Sequence, residues 1–289
     1  MKQLQLFCLK SCLFVVSAVL LSYICNIDTL KAYLPCFGGG EVYRAILKSK
    51  KKVSFRKLLI GDSTAGQFFD NRNEDEDYYS LACNQAVSIC GQFFLLDNFL
   101  KAGNRPEEVY MLFTPESFND NVNQTITYHY FLKPFYREEY KPQMTGNVIN
   151  QVRQIPFHEF SQLPFIISPA WAPDYVSDRR TDTFLSPVSI DYLTKIDSLR
   201  SEYDFKLYLV PAFISESRRE RISNYKTDGI KGSEMARSLT TYLENAEYLP
   251  DNCFKDDIHL QNPDDYKDMM LKEMDKIKAM TDDRQRLSK

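Results

Sequence analysis

Residues 57–63 read Lys57-Leu58-Leu59-Ile60-Gly61-Asp62-Ser63, and this stretch decides the fold. A short apolar run stopped by glycine reads as a buried strand, because it is too brief for a helix. A serine placed directly after such a strand sits at the sheet edge where open α/β sheets bind their ligands. The helix expected next can direct N–H groups at a developing negative charge there. Taken alone, Gly-Asp-Ser also marks an ordinary turn and helix cap, so the rest of the chain has to decide.

Working toward the C-terminus, strand and helix signals alternate. Residues 78–83 form a second strand candidate. Residues 88–102 read as a helix ending at Gly103, with Phe94, Leu95, Phe99 and Leu100 on its inner side. Glu108 to Phe113 is a third strand and Phe205 to Val210 a fourth. Between them residues 187–203 read as a helix with Ser186 as N-cap and Pro187 in its first turn, where a missing N–H costs little. Residues 233–244 and 263–280 are two further helices, the last carrying Tyr266, Met270, Met274 and Ile277 on one face. Strands separated by helices imply an α/β sandwich around a mainly parallel sheet.

One stretch breaks the rhythm. Residues 118–184 hold 13 aromatics and 6 of the 13 prolines with weak periodicity. A connection this long is either an embedded subdomain or a lid over a functional site, and a purely structural cap fits the composition equally.

Toward the N-terminus, residues 26–56 carry Pro35, Gly38-Gly39-Gly40 and the basic cluster Arg44, Lys48, Lys50, Lys51, Lys52, Arg56 (with Lys57 just beyond), and read as a solvated basic linker. Before it, residues 1–25 contain the uncharged run Ser11 to Cys25, which Leu4 to Leu9 extend across Lys10. No small-residue cleavage site follows, and Ile24 spoils Ser22-Tyr23-Ile24-Cys25 as a lipoprotein signal, so an uncleaved transmembrane signal anchor is expected. Lys2, Lys10 and the amino terminus precede the run, while residues 26–43 carry only Lys31 against Asp28 and Glu41. The positive-inside rule then puts the N-terminus inside and the body, residues 57–289, outside.

Composition narrows the partners. The formal net charge is −3, with no global basic field for nucleic acid. Seven cysteines show no zinc-like spacing, so no metal site is expected, and nothing demands a cofactor. Cys83 and Cys90 are either a disulfide of an exported domain or two buried thiols.

The chemistry-bearing partner of Ser63 lies near the other end, in Asp256-Asp257-Ile258-His259-Leu260-Gln261-Asn262-Pro263. A serine hydroxyl becomes a useful nucleophile when an imidazole removes its proton, and the imidazole needs a carboxylate to fix its tautomer. Of the three histidines, His129, His158 and His259, the last has acidic neighbours and precedes a helix. Asp256 has the better spacing to His259, Asp257 is the alternative acid, and Asp62 is read as an anchor of the turn.

Together these segments resemble the SGNH/GDSL hydrolase family over residues 57–120 and 205–275. Gly61-Asp62-Ser63 matches its first block, and Asp256, His259, Leu260 and Tyr266 match its last, with Gln261 and Asp265 in place of the usual Asn and Gly. Ser117-Phe118-Asn119-Asp120 resembles the third block with Ser for Gly, and Asn84-Gln85-Ala86 the second with Ala for Gly, Gly91 being the other match. The resemblance implies a three-layer α/β/α, flavodoxin-like fold and a serine esterase or O-acyltransferase with the triad Ser63, His259 and Asp256. Its oxyanion hole would use the N–H groups of Ser63 and of Ala86 or Gly91, and the Asn119 side chain. The anchor, Thr114-Pro115 and the aromatic insertion look like the membrane-tethered, DltD-like members that act on cell-envelope glycopolymers. This implies an acylated small molecule or glycan as substrate, with Trp171, Tyr128 and Tyr130 available to stack on sugars or, equally, to fill the core. A membrane-bound acyltransferase is an implied partner. A non-catalytic accessory module for polysaccharide acylation is the alternative.

Overall fold

The computed structural model describes residues 2–25, 27–34, 39–73, 75–123, 127–163, 183–227, 229–230 and 234–287. Its first helix, α1 (Lys2–Cys25), is about 36 Å long at 1.5 Å per residue. Over Lys2–Ile24 its mean hydropathy is 2.2 and none of it is buried, so it is long and apolar enough to cross a membrane.

The expectation of a solvated linker is corrected. Residues 26–56 contain two helices, α2 (Asp28–Tyr33) and α3 (Gly40–Ser49). Val42, Ala45 and Ile46 of α3 are fully buried in the main core. The run of lysines and arginines hid an amphipathic helix, whose apolar residues recur at helical spacing while the charges occupy the other face. Asp28 of α2 is held by a two-pronged ion pair with Arg137, Nη1 to Oδ2 at 2.7 Å and Nη2 to Oδ1 at 2.8 Å.

β1 (Lys57–Gly61) leads into the short helix α4 (Ser63–Phe68), then β2 (Tyr78–Ser80), α5 (Ser88–Lys101) and β3 (Glu108–Phe113). The strand expected at 78–83 pairs regularly only over its first half. Beyond it, Leu81 and Cys83 still donate their N–H groups to the Leu59 and Gly61 carbonyls, at 2.8 and 3.0 Å. Within the long insertion lie α6 (Lys133–Phe135) and α7 (Gly146–Gln154). Then come α8 (Pro187–Tyr203), capped by Ser186 as expected, β4 (Lys206–Pro211), a second small sheet of β5 (Ile214–Ser215) and β6 (Tyr248–Leu249), α9 (Arg219–Ser223), α10 (Glu234–Glu244) and α11 (Lys267–Leu287). The last helix begins later than expected because Pro263–Tyr266 form a 3₁₀ turn.

The main sheet has the order β2-β1-β3-β4 and every pair is parallel. Its side chains alternate between two cores. Leu58, Ile60, Val109, Met111, Leu207 and Leu209 face α3, α5, α8 and α10. Leu59, Tyr110, Leu112, Tyr208 and Val210 face α4 and α11. From β1 the chain moves to one side for β2 and then returns to the other for β3, so a crevice opens beyond the carboxyl ends of β1 and β3.

The described part of the insertion is packed into the body. Phe118, Phe131, Phe135, Tyr140, Val148 and Phe184 belong to the same core as the sheet. Tyr130 packs against that core rather than standing free. Tyr128 lies in a π-helical turn, Tyr128–Leu132, and Trp171 lies outside the described residues. Cys83 and Cys90 are separate buried thiols, both pushed well up by burial.

Candidate active site

Gly61 closes β1 against β3 so tightly that a Cβ there would collide with the Ala65 side chain and the Leu112 carbonyl. The close approach turns the chain sharply, and Asp62 fixes the turn. Its buried carboxylate accepts from the Thr64 N–H at 2.8 Å, the Thr64 hydroxyl at 2.5 Å, the Thr114 N–H at 2.8 Å and the Ser117 hydroxyl at 2.6 Å. One side chain thereby caps α4 and joins the carboxyl ends of β1 and β3. Ser63, the next residue, is only half-buried and faces a cavity of about 200 Å³.

The second half arrives on a loop before α11. An antiparallel bridge pairs Phe254 with Leu260, and the Lys255 N–H reaches the His259 carbonyl at 2.9 Å. Inside that loop Asp256 Oδ1 accepts from the backbone N–H of Ile258 at 2.8 Å and of His259 at 2.6 Å. Its Oδ2 lies 2.9 Å from His259 Nδ1, and His259 Nε2 lies 2.8 Å from Ser63 Oγ. The network assigns the proton to Nδ1, which donates to Asp256, leaving Nε2 to accept from the serine. Desolvation acts to raise the Asp256 pKa, but the two backbone donors and the His259 ring outweigh it and hold the carboxyl down at about 2.

Two clamps hold the loop in place. Gln67, one helical turn beyond Ser63 on α4, donates from Nε2 to the Leu260 carbonyl and accepts the Leu260 N–H at Oε1, both at 3.1 Å. Glu116, fully buried in the 3₁₀ turn Pro115–Phe118 after β3, pairs with Arg218 and Arg221. Arg218 also donates to the Asp257 carbonyl at 2.9 Å. Asp257 thus serves the loop through its backbone, and Asp256 is the carboxylate that meets His259.

Ser63, His259 and Asp256 are therefore brought together, whereas three of the expected oxyanion donors are not. The Ala86 N–H is spent on Asn84 Oδ1 at 2.9 Å. Gly91 lies inside α5, where a Cβ would press on Val87 and Phe135, so its smallness serves packing. The Asn119 amide, 3% exposed, donates to the Thr183 carbonyl and does not line the cavity around Ser63. What the cavity wall carries instead is Asn84. Its Oδ1 is fixed by Ala86, which turns its Nδ2 the other way, and that group has no partner among the described residues. The Ser63 N–H, in the first turn of α4, is likewise without a partner there.

Of the other histidines, His158 Nδ1 lies 3.0 Å from the Ile155 carbonyl, and His129 sits half-buried beside Tyr130. Sequence reasoning missed Gln67, although its spacing of four from Ser63 places both on one helical face. Asn84, Glu116 and Arg218 carry no such local signal. Among the described residues no group of three His, Cys, Asp or Glu side chains is placed to hold a metal ion. Comparison with protein-family models, curated proteins and solved structures gives no match.

Proposed function

We propose that this chain is a membrane-anchored serine esterase or acyl-transfer enzyme of the SGNH/GDSL type, built as a three-layer α/β/α domain. The observation that carries the reading is the 2.8 Å contact between Ser63 Oγ and His259 Nε2, with Asp256 behind the ring. The cap residue Asp62 and the clamp residue Gln67 keep that geometry rigid, as acyl transfer demands.

In this reading Ser63 Oγ attacks the ester carbonyl while its proton passes to His259 Nε2, and Asp256 stabilises the imidazolium. The Ser63 N–H and Asn84 Nδ2 hold the oxyanion. Collapse breaks the bond to the alcohol, which takes its proton from His259 and leaves an acyl-serine. Water, or a hydroxyl of a glycan, then attacks in the same way and releases the acyl group. The N-terminus lies inside and the catalytic body outside, facing envelope glycans, and a membrane-bound acyltransferase supplies acyl groups in the transferase version.

The non-catalytic accessory reading draws on one observation, the loss of Ala86 and Asn119 as oxyanion donors. Labelling with an alkyl fluorophosphonate separates the two. The wild type is expected to label and Ser63→Ala to stay unlabelled. Equal labelling of both forms, or none of the wild type, would turn the assignment to the accessory module.

A further inference from the structure

The cavity at Ser63 is not closed at its far side. A larger one, about 700 Å³, adjoins it, and Glu41, Arg44, Asn71 and Arg72 belong to the walls of both. Its outer wall includes Ala32, Tyr33 and Leu34 at the end of α2, a few residues along the chain from the apolar helix α1. A groove thus runs from the nucleophile to the foot of the candidate membrane span.

Arg44 stands at the junction in a prepared state. Its Nε donates to Asn71 Oδ1 at 3.1 Å and its Nη1 to the Ala32 carbonyl at 2.6 Å. Asn71 is itself 4% exposed and locked by donating to the Glu41 and Ala82 carbonyls at 2.8 and 2.7 Å. Arg44 has no carboxylate within ion-pair distance among the described residues, and its Nη2 has no partner there. A half-buried guanidinium hydrogen-bonded to neutral groups keeps its orientation fixed, and Asp70 is near enough to feel its charge without forming an ion pair with it.

The surrounding charges point the same way. On these walls Asp70 is paired with Arg72 at 2.5 Å, and Asp75 lies 3.7 Å from Lys267. The other charges of the walls are Glu41, Arg44, Lys51 and Lys48, whose Nζ already donates to the Asn71 carbonyl at 3.1 Å and lies over the Tyr79 ring. A fixed guanidinium with an open Nη2, flanked by further cations on the same wall, fits a tetrahedral oxyanion with several oxygens better than a neutral sugar.

We infer that Arg44 is the core of a phosphate subsite, so that the ester processed at Ser63 belongs to a phosphate-bearing molecule. This rests on the serine-enzyme reading. The phosphate belongs either to a lipid headgroup or to a soluble phosphorylated compound, and the same groove would admit both.

The test is the rate of fluorophosphonate labelling of the full-length chain. In detergent, inorganic phosphate and glycerol 3-phosphate are added. In a second arm the chain is placed in nanodiscs of phosphatidylcholine with or without phosphatidylglycerol. Slowed labelling with the soluble phosphates supports the subsite with a soluble source, and slowing only with phosphatidylglycerol supports it with a lipid source. In either arm Arg44→Gln, measured against its own rate without phosphate, should need about tenfold more phosphate for the same fractional slowing, since a bond to a charged group is lost. Arg44→Lys, which keeps the charge and loses the fork, should fall between and serves if Arg44→Gln does not fold. No slowing in any arm, or equal slowing in wild type and Arg44→Gln, overturns the subsite while leaving the nucleophile intact. If the wild type does not label at all, the serine-enzyme reading fails instead. The subsite is then judged by whether phosphate raises the melting temperature of the wild type and not of Arg44→Gln.

Discussion

Gln67 grips Leu260 with both ends of its amide, donating to the carbonyl and accepting from the N–H at 3.1 Å each. The two residues are neighbours of Ser63 and His259 on their respective segments, so this pairing sets the register in which hydroxyl and imidazole meet.

Gln67→Leu should therefore lower kcat with KM little changed. The loss of two hydrogen bonds costs about 1–3 kcal/mol of stability, and a misplacement of about 1 Å can cost about a hundredfold in rate. Gln67→Glu, which keeps the acceptor for the Leu260 N–H, should recover part of the rate. Steady-state kinetics with a chromogenic ester checks both, and unchanged kcat in Gln67→Leu would show that the clamp is structural only.

Asn84 and Asn119 should separate cleanly. Asn84→Ala removes the donor proposed for the oxyanion and should reduce kcat by about 10²–10³, with about 1 kcal/mol of stability lost from the small cap it also forms. Asn119→Ala should instead leave kcat near the wild-type value and lower the melting temperature, because its amide ties the Pro115–Phe118 turn to Thr183. Measured side by side, the two variants distinguish the oxyanion donor from the structural one.

Asp256→Asn keeps the shape of the loop but presents a donor to His259 Nδ1, forcing the wrong tautomer. A fall of about 10³–10⁴ in kcat is expected. The pH dependence follows from the lowered carboxyl. Its folded value near 2 lies below its ordinary 3.8, so its stabilising contribution is present above 3.8 and fades as pH drops to about 2. Wild type and Asp256→Asn should differ in stability at pH 6 and converge in acid, which denaturation at several pH values will show.

Lys133 titrates in the opposite sense. Burial first, then Lys31 and Arg137, lower its pKa from 10.5 to about 7. Between those values the unfolded chain holds a proton that the folded chain has released, so stability rises with pH across that window. The urea midpoint of the full-length chain in detergent should increase from pH 7 to pH 9.5. In Lys133→Met that increase should shrink.

The sheet was readable because its signals are local. Each strand is a compact apolar run, and Gly61 and Ser186 punctuate where the backbone demands it. The pair of segments holding Ser63 and His259 was readable for a similar reason, since each carries its residues at fixed spacing. The helix at 40–49 was not, because its lysines and arginines mask the few apolar residues that bury it. That the Ala86 N–H and the Asn119 amide are engaged elsewhere was not readable, because a sequence shows which amides exist and not which are already occupied. Whether Ala86 N–H is free depends on the rotamer of Asn84, and the fate of the Asn119 amide on Thr183, far along the chain.

The ion pair between Asp28 and Arg137 has a mechanical consequence. A loose tether of residues 26–56 would let the body roam roughly 30 Å from its attachment, on random-coil scaling. With α2 bolted to the body the leash is nearly gone. If α1 spans a bilayer, the body is held close above it instead of swinging on a long tether, and the groove proposed here would open to molecules that diffuse past in the plane of the lipid.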